Sequence, residues 1–336
     1  MRRLPVGADR VRCNENGYHP WMHPSAPTPN HRRGWALLAF GVTALGLTLG
    51  ACSSTDTADA PRGDCPVEPV SVVATVNQWG QIVEQLGGDC VTVDSIISGS
   101  AADPHDYEPT PADSAAFEDA DLAVLNGLGY DSWAQRALDQ VGDGPAVIVA
   151  GDVAGRTTGD NPHIWYSPEA VRAMTEAITG ELAQLTPLGP DAGGYLGGRF
   201  DAWMESLQSY DDALDGLAKA GDGATFASTE PVADDLLEAA GLSNVTPPGY
   251  RSAALNETEP SPSDLAAFDD LLASGKVDLL VVNPQSEGPV ADQLRRSADG
   301  DQVPVVEVTE TVPDDADGFV AWQVAQLNSL TAAVSQ

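Results

Sequence analysis

An unbroken run with helical periodicity, Asp191 to Ala220, stands in the middle of this chain and divides it. Its apolar positions (Tyr195, Phe200, Trp203, Leu207, Tyr210, Leu214, Leu217) recur mostly at the three- and four-residue steps of one helix face. Strand-like and helix-like segments alternate on both sides of it. The run therefore joins two halves, and a helix of that length would hold them at a nearly fixed angle.

In the first half, Val70 to Val76 (VSVVATV) is continuous and β-branched, as a strand covered on both faces should be. Trp79 to Leu86 reads as helix, Val91 to Ile97 as a second strand, Pro111 to Asp119 as helix, Leu122 to Asn126 (LAVLN) as a third strand and Val147 to Ala150 as a fourth. Ser167-Pro168-Glu169 combines a capping hydroxyl, a first-turn proline and an acid, so a helix is expected from there to about Leu185. After the central run the alternation restarts. Strands are expected at Ala224–Thr229, Ser243–Thr246, Val277–Asn283 (VDLLVVN) and Val303–Val308, and helices at Val232–Ala240, Ser263–Ser274, Val290–Ser297 and Phe319–Val334. The expected class is α/β: two parallel-sheet βα lobes joined by one long rigid helix, with ligands held beyond the carboxyl ends of the strands.

The first 51 residues read as export signal. His31-Arg32-Arg33 is a basic segment, Trp35 to Gly50 an uncharged apolar run, and Leu49-Gly50-Ala51-Cys52 places small residues before a cysteine. The apolar run is shorter than the roughly 20 residues that a spanning helix needs, and the order fits a secretory signal. A start at Met22 would give a more ordinary signal length. Ending in cysteine, the segment is similar to a bacterial lipobox, with Cys52 as the lipidated first residue that anchors the protein to the membrane. The expected organisation is signal 1–51, tether 52–66, first lobe 67–188, connecting helix 189–220 and second lobe 221–336. Cys65 and Cys90 then remain in an exported domain, where a disulfide across 25 residues is the simplest pairing. No C-x-x-C spacing suggests a thiolate metal site.

The chain carries 16 basic and 50 acidic residues, a formal charge of −34. Residues 1–51 hold six Arg and two acids, so residues 52–336 carry −38. Such a surface repels nucleic acid and anionic lipid headgroups and attracts cations. It equally keeps a protein soluble in a salty or acidic niche.

Five histidines occur, three of them (His19, His23, His31) before the cleavage point. The other two follow prolines in matched settings, Asp103-Pro104-His105 and Asn161-Pro162-His163, each on a loop after a strand. Imidazole is the commonest transition-metal ligand, and a preceding proline limits the entropy lost on coordination. Glu230, followed by Pro231, takes the comparable place after the first strand of the second half, where its other role would be a first-turn acid favoured by the helix dipole. Glu310 follows the last strand, with Thr309 and Glu307 as neighbouring alternatives. Two imidazoles and two carboxylates suit Mn²⁺ or Zn²⁺.

Three segments together resemble a known family: Pro104-His105-Asp106-Tyr107-Glu108-Pro109-Thr110-Pro111, the run from Ala120-Asp121-Leu122 to Asn126-Gly127, and Asn161-Pro162-His163-Ile164-Trp165. They are similar to the manganese- and zinc-binding lipoproteins of bacterial ABC importers, the cluster A-I solute-binding family, over most of residues 67 to 336. The resemblance implies two α/β lobes on one long helix, metal in the interlobe cleft, and a monomer that hands its ion to an ABC permease in the membrane. It places ligands at His105 and His163, and at Glu230 in a position that is His or Glu in the family. The fourth position is usually Asp, and Val308-Thr309-Glu310 departs from that pattern. The His- and Asp-rich loop of many zinc receptors is missing. Harder oxygen donors tip the expectation slightly to manganese, although zinc binds most N/O sites more tightly.

Two other readings stay open. A metal-dependent hydrolase would need an open coordination position and a general base, for which Asp106 or Glu108 are the nearest acids. A surface adhesin could use the same fold. The chain has no G-x-S-x-G elbow, P-loop or dinucleotide fingerprint, so no catalytic residue and no resident cofactor are expected.

Overall fold

In the computed structural model of the chain, residues 64–99, 107–185, 188–286 and 288–335 are described. Among the described residues, eight strands form two parallel sheets. The first contains β1 (Val70–Val76), β2 (Val91–Ile97), β3 (Leu122–Leu125) and β4 (Ala146–Val149) in the order β2-β1-β3-β4. The second contains β5 (Thr225–Ser228), β6 (Ser243–Asn244), β7 (Leu279–Val282) and β8 (Val305–Glu307) in the order β6-β5-β7-β8. The two orders are the same, and the α/β class with two lobes on a long helix is the one expected.

β1 is buried at every position except Ser71, and β3 and β7 are buried throughout, which is why these segments read as uninterrupted apolar runs. In each sheet the strand order reverses between the first and third strands. The point where the order reverses, beyond the carboxyl ends of the strands, is the usual ligand position of such folds. Asn77 and Gln78 follow β1, Asn126 follows β3, Glu230 lies just beyond β5, and Asn283 follows β7.

The central helix runs from Gly193 to Ala220, 28 residues and about 42 Å. It buries Leu196, Trp203, Leu207, Tyr210 and Leu217 along one face. Trp203 Nε1 donates to Thr175 Oγ1 at 2.9 Å, on the helix Pro168–Leu182 of the first half, and its ring lies 6.3 Å from Phe319, on the closing helix Phe319–Val334. Tyr195 and Arg199 bond Asp89 N and Gln85 O at 2.8 and 2.9 Å, so the start of the long helix is also tied to the helix and turn that link β1 to β2. Ala58 to Gln336 form one compact unit. No helix among the described residues is long and apolar enough to cross a membrane.

Cys65 and Cys90 are joined as a disulfide, which fixes the start of β1 to the turn before β2. Three short helices escape the sequence reading: Ser132–Leu138, Ala150–Val153 and Pro248–Leu255. The last of these starts at Pro248, whose missing N–H costs nothing at the first helical position.

Candidate metal centre

Three side chains named from the sequence come together. His163, Glu230 and Glu310 each offer a ligand atom, and those atoms all lie within 4.8 Å of one another. His163 Nε2 is 3.6 Å from Glu230 Oε1 and 3.4 Å from Glu310 Oε1. Two donors held at about 2.1 Å in a tetrahedral shell stand roughly 3.4 Å apart, so the spacing suits one shared cation. The side chains of His163 and Glu310 are 2% and 0% exposed, and that of Glu230 is 14% exposed. Glu230 also borders a cavity of about 380 Å³ that Tyr250, Glu257 and Glu259 help to line. His105 and Cys52 lie outside the described residues.

The fold presents each ligand through buried amides. Asn126, at the end of β3, accepts from Trp79 Nε1 at 3.0 Å and donates Nδ2 to Pro162 O at 3.0 Å, so it pins the carbonyl just before His163. The turn after β3 needs a glycine, because Gly127 has φ 78° and a Cβ there would sit 2.6 Å from Val149 Cγ1. Asp131 closes that turn by accepting from Asn126 N at 2.6 Å, Gly127 N at 2.8 Å and Thr75 Oγ1 at 2.5 Å. Burial pushes its carboxyl upward, and these three donors oppose the shift.

Asn161 fixes the ring of His163. Its Nδ2 donates to Pro231 O at 2.8 Å, which leaves Oδ1 as the acceptor for His163 N at 3.2 Å and Nδ1 at 2.8 Å. Nδ1 therefore serves as the donor to Asn161, and Nε2 is the nitrogen turned toward the two carboxylates. Tyr130, His163 and Trp165 pack edge to face, with centroids 5.4 to 6.2 Å apart, and enclose the imidazole.

On the second-lobe side the two acids are presented alike. Tyr250 OH donates to Thr229 O at 3.1 Å, and Tyr166 OH donates to Thr309 O at 2.7 Å, in each case to the carbonyl just before the ligand Glu. Burial raises both phenols first, followed by the nearby charge of Glu230 for Tyr250 and of Glu310 for Tyr166, so both stay protonated as donors. Asn283 Nδ2 donates to Glu230 Oε2 and to Glu310 Oε1, both at 2.9 Å. Gln285 Oε1 accepts from Glu310 N at 2.7 Å and Thr311 N at 3.1 Å. Gln78 Nε2 reaches Glu310 O at 2.6 Å, and Asn77 exchanges two bonds with Val312, at 2.8 and 3.2 Å. The segment carrying Glu310 is thus held by both lobes.

The neighbouring alternatives point elsewhere. Glu307 is 58% exposed and pairs with Arg295 at 2.6 Å, while Thr309 Oγ1 accepts from Trp322 Nε1 at 3.0 Å. Glu108 is exposed. The sequence reading misses the supporting residues Asn77, Gln78, Asn126, Tyr130, Asn161, Asn283 and Gln285. A signal for two of them was present: the third strand of each half ends in the same way, LAVLN at Asn126 and LLVVN at Asn283.

Comparison with known proteins identifies the family and the fold. The family model described as zinc-uptake complex component A, periplasmic, matches residues 72–333. The chain is 27% identical over 274 residues to the high-affinity zinc uptake system protein ZnuA of Bacillus subtilis, covering 76% of this chain and 83% of that protein. It is also 27% identical over 178 residues to the manganese-binding lipoprotein MntA of Halalkalibacterium halodurans, covering 52% of this chain and 57% of the relative. The fold is that of the periplasmic zinc-binding protein TroA from Treponema pallidum, with a TM-score of 0.67 at 17% identity over 80% of this chain and 100% of that one. With its match spanning most of both lobes, the chain belongs to the family of the periplasmic component A of zinc-uptake complexes.

Proposed function

We propose that this protein is a non-catalytic, extracytoplasmic receptor that captures one Mn²⁺ or Zn²⁺ ion and delivers it to an ABC permease. The observation that carries the reading is the convergence of His163 from the first lobe with Glu230 and Glu310 from the second, within 4.8 Å. His105, by its matched sequence setting, is the fourth ligand. An ion bound by four protein donors has no activated water to offer, so the site suits capture better than hydrolysis. The ion joins two lobes, so its loading is legible to a membrane partner as lobe geometry. The protein acts as a monomer, held to the membrane by a lipid on Cys52. The relatives named for zinc and manganese uptake support the same reading.

Calorimetric titration of the purified protein with Mn²⁺ and with Zn²⁺ tests it. One ion per chain is expected, with tight binding abolished in His163→Ala. Wild-type affinity in that variant would remove the site from the account.

A further inference from the structure

The two carboxylates of the site do not have all their oxygens at liberty. Glu230 turns Oε1 toward His163 Nε2 and gives Oε2 to Asn283 Nδ2 at 2.9 Å. Glu310 turns Oε1 toward the same nitrogen, where Asn283 also donates at 2.9 Å, and its Oε2 accepts from Tyr130 OH at 2.8 Å. Both amide hydrogens of Asn283 are thereby spent on the two acids, and its Oδ1 accepts from Gln285 N at 2.9 Å. Asn283 is 2% exposed, so its amide has no room to turn away. Tyr130 is braced by its edge-to-face contact with Trp165 at 5.4 Å.

We propose that Asn283 and Tyr130 are positioning residues that keep Glu230 and Glu310 in one-oxygen contact with the bound ion and so set its coordination number. A carboxylate that is free to swing binds through one oxygen or two. A donor on the distal oxygen favours the first mode, because two-oxygen binding would weaken a bond made in a dry site. With one oxygen from each acid, one nitrogen from His163 and one further protein ligand, the shell closes at four. Four-coordinate shells suit Zn²⁺ and Co²⁺, whereas Mn²⁺ gains from five or six donors. These hydrogen bonds therefore oppose the tendency that donor hardness alone would give. The inference rests on the metal site proposed above.

The test titrates the full mature protein with Co²⁺, whose four-coordinate complexes absorb strongly in the visible while six-coordinate ones absorb weakly. Mn²⁺ and Zn²⁺ affinities are measured in parallel by competition. The wild type should show the strong bands. Tyr130→Phe, which removes one hydroxyl and keeps the ring, should weaken them and lower the Zn²⁺-over-Mn²⁺ affinity ratio about tenfold. Asn283→Ala should do the same, and circular dichroism reports whether that buried change still folds. An unchanged spectrum and ratio in Tyr130→Phe would overturn the role of that residue. Weak six-coordinate bands in the wild type would overturn the inference while leaving the site in place. A wild-type Co²⁺ spectrum in His163→Ala would instead overturn the site on which it rests.

Discussion

Glu310 illustrates what packing adds to the reading of a single position. Val306, Val308 and Glu310 are buried, while Glu307 is exposed, so the two-residue period of β8 continues past its last paired residue. From the sequence alone three candidates remained, Glu307, Thr309 and Glu310, because each stands at or just beyond the end of the last strand. In the folded chain Arg295 claims Glu307 and Trp322 claims Thr309, which leaves Glu310 facing His163. Glu310→Ala should therefore abolish tight Mn²⁺ and Zn²⁺ binding, and Glu307→Ala should leave it within about twofold, since exposed ion pairs contribute little. The reverse pattern in a calorimetric titration would reassign the ligand. Asp234 gives a second residue-level prediction. Burial pushes its carboxyl from 3.8 up to about 6, against the pull of Ser228 and Arg251. The folded state then holds a proton that the unfolded state releases, so this contribution favours folding below pH 3.8 and is lost as pH rises through about 6. Denaturation midpoints measured across that window should fall with rising pH, and Asp234→Asn should flatten the slope. An identical slope in the variant would rule out this source.

At the scale of elements, the long helix is what makes two lobes one molecule. Trp203 contributes most visibly, because it is 3% exposed, bonds Thr175 on the first-half helix and packs on Phe319 of the closing helix. Trp203→Ala should cost about 3–5 kcal/mol in urea unfolding. A loss under about 1 kcal/mol would mean that the helix is held elsewhere. The helix and the eight strands among the described residues follow from patterns the chain displays: continuous β-branched runs, Ser-Pro helix starts, and a long central apolar stripe; the strand order of each half emerges only in the fold. The short helix Ser132–Leu138 was not legible, since it opens without a capping bond from Asp131, whose carboxylate serves Thr75, Asn126 and Gly127 instead. Asn77 and Gln78 were equally hidden. A polar residue after a buried strand reads as the start of a loop, and only the docking of the opposite lobe turns it into a buried bond.

Across the whole molecule, the clustered candidate ligands and their supports come from both halves of a compact unit. Asn161 bonds Pro231, Gln78 and Asn77 bond the Glu310 segment, Tyr130 and Tyr166 reach across to Glu310 and Thr309, and Arg156 pairs with Asp235 at 2.7 Å. A cation between the lobes would add attraction where two carboxylates face one imidazole, in a chain whose formal charge is −34. The Asn161-Pro162-His163 setting singled out the first-lobe member of this cluster, and the acids of the second half could only be narrowed until the fold brought them to His163. The most direct measurement is anomalous diffraction at the zinc and manganese absorption edges from crystals grown with each ion. The account predicts one peak per chain, about 2.1 Å from His163 Nε2 and in contact with Glu230 and Glu310. A peak elsewhere, or none at those three side chains, would contradict it.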